Sequence, residues 1–271
     1  TRMVATSATR DATNAAEFVS GVVGILGVPP EVVSGAAEAH LSFTGATTEL
    51  ARSAGRPGDG LPGPYLVVDI GGGSTEFVVG GRGLAAARPA AARPGEASAA
   101  VPGPGPGTQP ELRAISMDIG CVRMTERHLH HDPPTEAEVA AATADIDAAI
   151  DAAAQAVPVA EAATLVGLAG SVTTVAAIAL GLPGYDPDRI HHARIGASEV
   201  HQVSQRLLAQ TRRERAAIGP MHPGRVDVIG AGALVLDRVL TRLGFAEVVA
   251  SEHDILDGIA WSLAAADNQG R

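Results

Sequence analysis

Tyr65-Leu66-Val67-Val68-Asp69-Ile70-Gly71-Gly72-Gly73-Ser74-Thr75-Glu76-Phe77-Val78-Val79 is the stretch around which the chain is organised. An apolar, β-branched run leads into Asp69, glycines and hydroxyls follow, and a second apolar run closes behind Glu76. The pattern predicts strand, tight turn, strand, with two carboxylates beside a glycine turn. Glycine lets backbone N–H groups converge closely on an anion, the general way a loop cradles phosphate. Asp and Glu beside such a cradle are hard oxygen donors suited to Mg²⁺. An ordinary β-hairpin, in which Gly71, Gly72 and Gly73 only supply positive φ, accounts for the same residues equally well.

The 271 residues are 46% hydrophobic, enough for one large core or two modest ones. Aromatic residues make up only 3%, so Ala, Val, Leu and Ile must build that core. Every basic side chain besides histidine is Arg, a coding bias that says little about function. A net charge of −10 argues against a broad nucleic-acid surface, and DNA is not expected as a partner. Cys121 stands alone, which excludes an internal disulfide and favours a reducing, cytoplasmic setting. The uncharged run 162–185 is long enough for a membrane span, but Gly167, Gly170, Ser171, Thr173 and Thr174 interrupt it. A buried strand–loop–helix unit fits better. The first residues lack the apolar core of a signal peptide, so a soluble protein is expected.

Upstream of the glycine turn, a strand is expected over 3–7, then a helix capped by Asn14 with Glu17 and closed by Gly27. A strand at 32–33 and a helix from Ser34-Gly35 to about Arg52 complete a β-α-β-α order, the mark of layered α/β structure. Residues 53–64 read as a Gly/Pro-rich connector, and 81–110 as a disordered Ala/Gly/Pro insertion at a hairpin tip. Downstream come a strand at 112–117, a helix at 120–128, and a helix whose capping box is Thr135 with Glu138. Further strands are expected at 164–167, 226–229 and 247–251. Further helices are expected at 173–180, after Ser198, after Gly230-Ala231-Gly232, and at 255–265.

Several stretches in this order resemble the exopolyphosphatase/guanosine-pentaphosphate phosphohydrolase (Ppx/GppA) family. They are Val4-Ala5-Thr6-Ser7-Ala8-Thr9-Arg10-Asp11-Ala12, Ser34-Gly35-Ala36-Ala37-Glu38-Ala39 and Asp69-Ile70-Gly71-Gly72-Gly73-Ser74-Thr75-Glu76. Gly120-Cys121-Val122-Arg123-Met124-Thr125-Glu126, Gly167-Leu168-Ala169-Gly170-Ser171-Val172-Thr173-Thr174 and Arg225-Val226-Asp227-Val228-Ile229-Gly230-Ala231-Gly232-Ala233 follow. The resemblance implies an α/β, actin-like (ribonuclease H-like), two-domain ATPase fold with the active site in the cleft between domains. It divides the chain into 1–54, the remainder of an N-terminal domain, and 65–251, a second actin-like domain with an insertion near 82–110. Residues 252–271 would be a C-terminal helix packing back on the first domain. The family's first phosphate loop precedes the stretch that matches here, so the first domain is expected to be incomplete. Ala37 stands where the family has Glu, Ala169 where Gly is usual, and Ser171 where Thr is usual.

The resemblance also implies hydrolysis of a terminal phosphoanhydride, in inorganic polyphosphate or at the 5′ end of guanosine pentaphosphate. In that frame Glu38 orients the attacking water and Arg10, on the loop after a strand, offers a planar fork to a phosphate oxygen. Asp69 and Glu76 hold Mg²⁺, while Gly71, Gly72, Gly73 and Ser74 clamp the terminal phosphate and Gly170 and Ser171, in the cleft, also bind phosphate. Each has a plainer reading: Glu38 as a solvated first-turn acid, Arg10 as a surface ion pair, 167–174 as strand–helix packing. His128, His130 and His131 with Asp132 do not have the spacing of a fixed zinc site. His191-His192 matches a family segment containing His, which favours a structural or cleft role over metal binding. Arg212, Arg213 and Arg215 are either a solvated helix end or a guide for a long polyanion. The alternative function is a non-catalytic polyphosphate or guanosine tetra/pentaphosphate sensor of the same fold. A sugar-kinase-like ATPase fits less well, and a homodimer is left open.

Overall fold

A computed structural model describes residues 2–53, 61–81 and 112–269. The connector expected at 53–64 falls largely, and the insertion at 81–110 almost wholly, outside the described residues. Strand β1 (Val4–Ala5) is followed by the short helix α1 (Ser7–Asp11) and by α2 (Ala15–Leu26). Strand β2 (Glu31–Val32) pairs in parallel with β1. The expected strand over 3–7 is therefore cut to two residues, because β2 offers pairing over only that length. Asn14 caps α2 without a side-chain hydrogen bond, while Gly27 closes it in the left-handed conformation, as the sequence predicts.

Helix α3 (Gly35–Ser53) leads to the quoted stretch, which folds as β3 (Tyr65–Ile70) and β4 (Thr75–Gly80) in antiparallel register. Strand β5 (Arg113–Met117), α4 (Cys121–His128) and α5 (Glu136–Ala156) follow, and the Thr135–Glu138 capping box is present. Next come β6 (Thr164–Leu168), α6 (Ala169–Ala179), α7 (Pro187–Ile190), β7 (Arg194–Gly196) and α8 (Ala197–Ala209). At α8 the Glu199 carboxylate accepts from Gly196 N–H, so the cap sits two residues before Ser198. Helices α9 (Arg212–Ala216) and α10 (Ile229–Leu243), strand β8 (Glu247–Ala250) and helix α11 (Ile255–Gln269) complete the chain. No strand forms at 226–229: Ile229 already begins α10, and its apolar side chain is buried among helices. Among the described residues, no helix is long and apolar enough to cross a membrane.

The main sheet has the order β5-β4-β3-β6-β8-β7, with β3, β6 and β8 parallel and the edges antiparallel. Every residue of β3 and β4 is buried because both sheet faces are covered. Leu66, Val68, Ile70, Phe77 and Val79 face the larger core with Ile146 and Ile150 of α5, Val175 of α6 and Leu236 of α10. The alternate residues Tyr65, Val67 and Val78 meet Ala39, Phe43, Ala46 and Leu50 of α3. Asp69 and Glu76 are directly opposite one another, and strand alternation puts them on this second face, towards α3. Helix α11 crosses α3 backbone to backbone. A Cβ at Gly45 would overlap the Asp254 carbonyl, and one at Gly258 would overlap the Leu41 carbonyl.

Candidate functional site

Parallel strands β3, β6 and β8 end at one edge, where the chain opens into the glycine turn, into α6, and into 251–254. Such edges are where open α/β sheets receive ligands. Across this edge runs α3, whose residues 38, 42, 45 and 49 recur at helical spacing on one side. Each meets a different group. Glu38 approaches Arg10, Ser42 donates to Asp69 Oδ2 at 2.6 Å, Gly45 touches Asp254, and Glu49 accepts from His191.

The glycine turn is fixed by the start of α4. Amides of Cys121 and Val122 donate to the Gly71 and Gly72 carbonyls at 2.9 Å each, and Gly73 O accepts from Gly120 N and Arg123 Nε. A trans peptide holds its carbonyl and its N–H on opposite sides, so the amides of Gly72, Gly73 and Ser74 face away from α4. Among the described residues, Gly72 and Gly73 N–H meet no acceptor. Gly71 N–H does not join them, because it closes the turn onto Ser74 O at 3.0 Å. Gly120 must be glycine: a Cβ there would overlap the Gly72–Gly73 backbone.

The carboxylates are buried and crowded. Burial pushes Asp69 up to about 7 against its Ser42 hydrogen bond, and the charges of Glu76 and Asp254 add to the rise. Burial also raises Glu76 to about 7. Glu38 adds to that rise, and Ser74, Ser116 and Arg10 oppose it. Ser74 and Ser116 hydroxyls both donate to Glu76 Oε1 at 2.7 Å, leaving Oε2, like Oδ1 of Asp69, without a donor among the described residues. Facing carboxylates that resist ionisation together, each with one oxygen undonated, suit a hard divalent cation such as Mg²⁺. Glu38 is 8% exposed, and its Oε2 lies 3.7 Å from Arg10 Nη1, which also donates to Val33 O at 2.9 Å. Arg10 thus belongs to the last turn of α1, not to a loop, and it is tethered beside Glu38.

Gly170 and Ser171 lie in the first turn of α6, whose leading amides have no intrahelical acceptors. The Arg225 guanidinium lies directly against Gly170, where a Cβ would overlap it, and donates to Thr174 Oγ1 at 3.1 Å. Among the described residues no carboxylate pairs with it, and it lies over the Tyr185 ring, 5.9 Å from the centroid. In the sequence Arg225 only opens a motif, and nothing local marks it as a site residue. Ser171 also touches Cys121 and Gly232, bringing the starts of α4, α6 and α10 together. Burial raises the Cys121 thiol, which makes it a packing group and not a nucleophile.

Ala169 has φ +67°, a left-handed conformation that costs an L-residue about 1–2 kcal/mol. Ala169→Gly removes that strain and gives back about 0.4–1 kcal/mol in unfolded-chain entropy. A net gain of about 0.5–1 kcal/mol is expected, read as a higher urea midpoint at unchanged slope.

In the Arg212–Arg215 segment two of the three arginines are held within the fold, and Arg213 is exposed. Arg212 is paired with Asp227, and Arg215 is buried on the carbonyls of Val226, Leu207 and Gln210 and on Asp132. His128 and His131 bind Asp145 and Glu138 separately, so the 128–132 histidines do not converge.

A glycine turn held by its carbonyls, paired carboxylates and a guanidinium with no carboxylate partner among the described residues, gathered at a sheet edge, define a phosphate-handling α/β protein. The chain belongs to the Ppx/GppA phosphatase family, whose pattern it matches over residues 1–266. It is 43% identical to exopolyphosphatase 2 of Mycobacterium tuberculosis, over 97% of this chain and 74% of that protein. The crystal structure of an exopolyphosphatase-like protein superposes with a TM-score of 0.83 at 45% identity, covering 96% of this chain and 76% of that one. The Ppx/GppA family member of Aquifex aeolicus gives 0.73 at 26% identity, covering 98% and 74% respectively. The fold is accordingly the actin-like α/β fold of these proteins.

Proposed function

We propose that the chain hydrolyses the terminal phosphoanhydride of inorganic polyphosphate, with water oriented by Glu38 and Mg²⁺ held by Asp69 and Glu76. The observation that supports this most is the line of Glu38 and Ser42 on α3 above the cross-strand pair Asp69–Glu76, beside the outward amides of the glycine turn. Relatives named exopolyphosphatase agree with it.

The amides of Gly72, Gly73 and Ser74 receive the terminal phosphate, and Arg225 with the start of α6 neutralises the phosphates behind it. Glu38 accepts a hydrogen bond from the water and takes its proton late, so a carboxylate is basic enough. Arg10, 3.7 Å away, holds Glu38 in place. When bound, Mg²⁺ neutralises phosphate oxygens and offsets charge developing on the leaving group. The 5′ end of guanosine pentaphosphate carries the same anhydride and is the second substrate.

The test is orthophosphate release from polyphosphate and, separately, from guanosine pentaphosphate, with Mg²⁺ and with chelator. Release that requires Mg²⁺ is expected from polyphosphate. Tight binding of either compound with no release under any condition would make the protein a sensor and contradict the proposal.

A further inference from the structure

Away from the phosphate turn, three elements far apart in sequence bring Glu49 of α3, His191 ahead of β7 and His253 ahead of α11 together. Glu49 lies eleven residues beyond Glu38 on α3, about 16 Å along the helix, so the cluster is separate from the reacting end of the cleft. Its ligand atoms lie within 4.8 Å of one another. His191 Nε2 is 3.2 Å and His253 Nδ1 3.6 Å from the same oxygen, Glu49 Oε2. Tetrahedral Zn²⁺ with bonds of about 2.0–2.2 Å spaces its ligand atoms by about 3.3–3.6 Å. The two edges to Glu49 fall close to that range. His253 Nδ1 is moreover buried with no hydrogen-bond partner, an arrangement a buried imidazole nitrogen seldom keeps without a ligand.

We propose that Glu49, His191 and His253 form a site for one transition-metal cation of the Zn²⁺ class, which fastens α11 and the segment before β7 to α3. Imidazole nitrogens select such an ion over Mg²⁺. In the metal-free arrangement Glu252 N–H donates to His191 Nδ1 at 3.2 Å, which places the ring proton on Nε2, towards Glu49. Loading moves that proton to Nδ1 and frees Nε2 for the ion. The Glu252 amide must then turn away, at the cost of one hydrogen bond. Three protein ligands leave the fourth position to water.

The test titrates the 271-residue chain with Zn²⁺ by calorimetry, and with Co²⁺ by visible absorption, in excess Mg²⁺. One equivalent should bind, give the intense bands of tetrahedral Co²⁺, and raise the thermal midpoint. His253→Ala and the isosteric Glu49→Gln should each weaken binding at least tenfold, while His130→Ala/His131→Ala should leave it unchanged. Absence of stoichiometric binding, equal affinity in Glu49→Gln, or loss in the His130/His131 variant would overturn the assignment. The proposal is independent of the hydrolase reading, because its readouts are binding, spectrum and melting.

Discussion

Glu38→Gln is expected to lower kcat for phosphate release from polyphosphate by about 10²–10⁴-fold with little change in KM. Glutamine keeps the length and can still meet Arg10, but it cannot take a proton from water. The groups assigned to the phosphates, namely the turn amides, Arg225 and the metal carboxylates, are untouched, so binding should persist. A loss of stability would show separately, in the melting temperature. Glu38 raises the pKa of Glu76 by like charge, so removing its charge relieves a repulsion in the fold. Steady-state kinetics beside a thermal melt make the check. A raised KM at unchanged kcat would make Glu38 a substrate-binding group instead of the water's partner.

Asp69→Asn and Glu76→Gln are each expected to abolish Mg²⁺-dependent turnover while stabilising the metal-free chain. Both carboxyls titrate at about 7 in the fold, against about 3.9 and 4.3 when unfolded. Between about pH 4 and 7 the folded state therefore holds more protons, and stability falls as pH rises. Each group contributes up to about 1.4 kcal/mol per pH unit to that slope, and the full cost is present above pH 7. The amides remove the titrating group but keep an acceptor for Ser42 or Ser74. Denaturant midpoints from pH 5 to 8 without divalent cation should fall for the unaltered chain and fall less for each variant. Adding Mg²⁺ at pH 8 should raise the midpoint of the unaltered chain alone. A variant less stable than the parent at pH 8, with the same slope, would contradict the account.

The part of this site that sequence could reveal is the part carried by one local run. Period-2 alternation through Tyr65 to Val79 puts Asp69 and Glu76 on one face once the turn length sets the register, and the structure has that register. What the run cannot show is which way the turn's peptides point. That is decided by α4, whose first amides take the Gly71 and Gly72 carbonyls. The short run Val226 to Ile229 misleads for a related reason, since a few apolar residues serve a buried helix start as well as a strand. The expected strand 3–7 misleads because its partner strand has only two positions to offer. Arg225 only opens a motif, His191 is marked only by the His-containing family segment it resembles, and Glu49 and His253 carry no local signal. These residues converge only when β6, β8 and α3 meet at the sheet edge.

The central claim is attack by a water, oriented by Glu38, on the last phosphorus of a polyphosphate chain. Its most direct test is a time course of polyphosphate hydrolysis in ¹⁸O-labelled water with Mg²⁺, following orthophosphate mass and chain length together. The account predicts that orthophosphate is the first product, that each carries one ¹⁸O atom, and that the shortened polymer stays unlabelled. Early internal fragments, label on the polymer end, or no orthophosphate would contradict it.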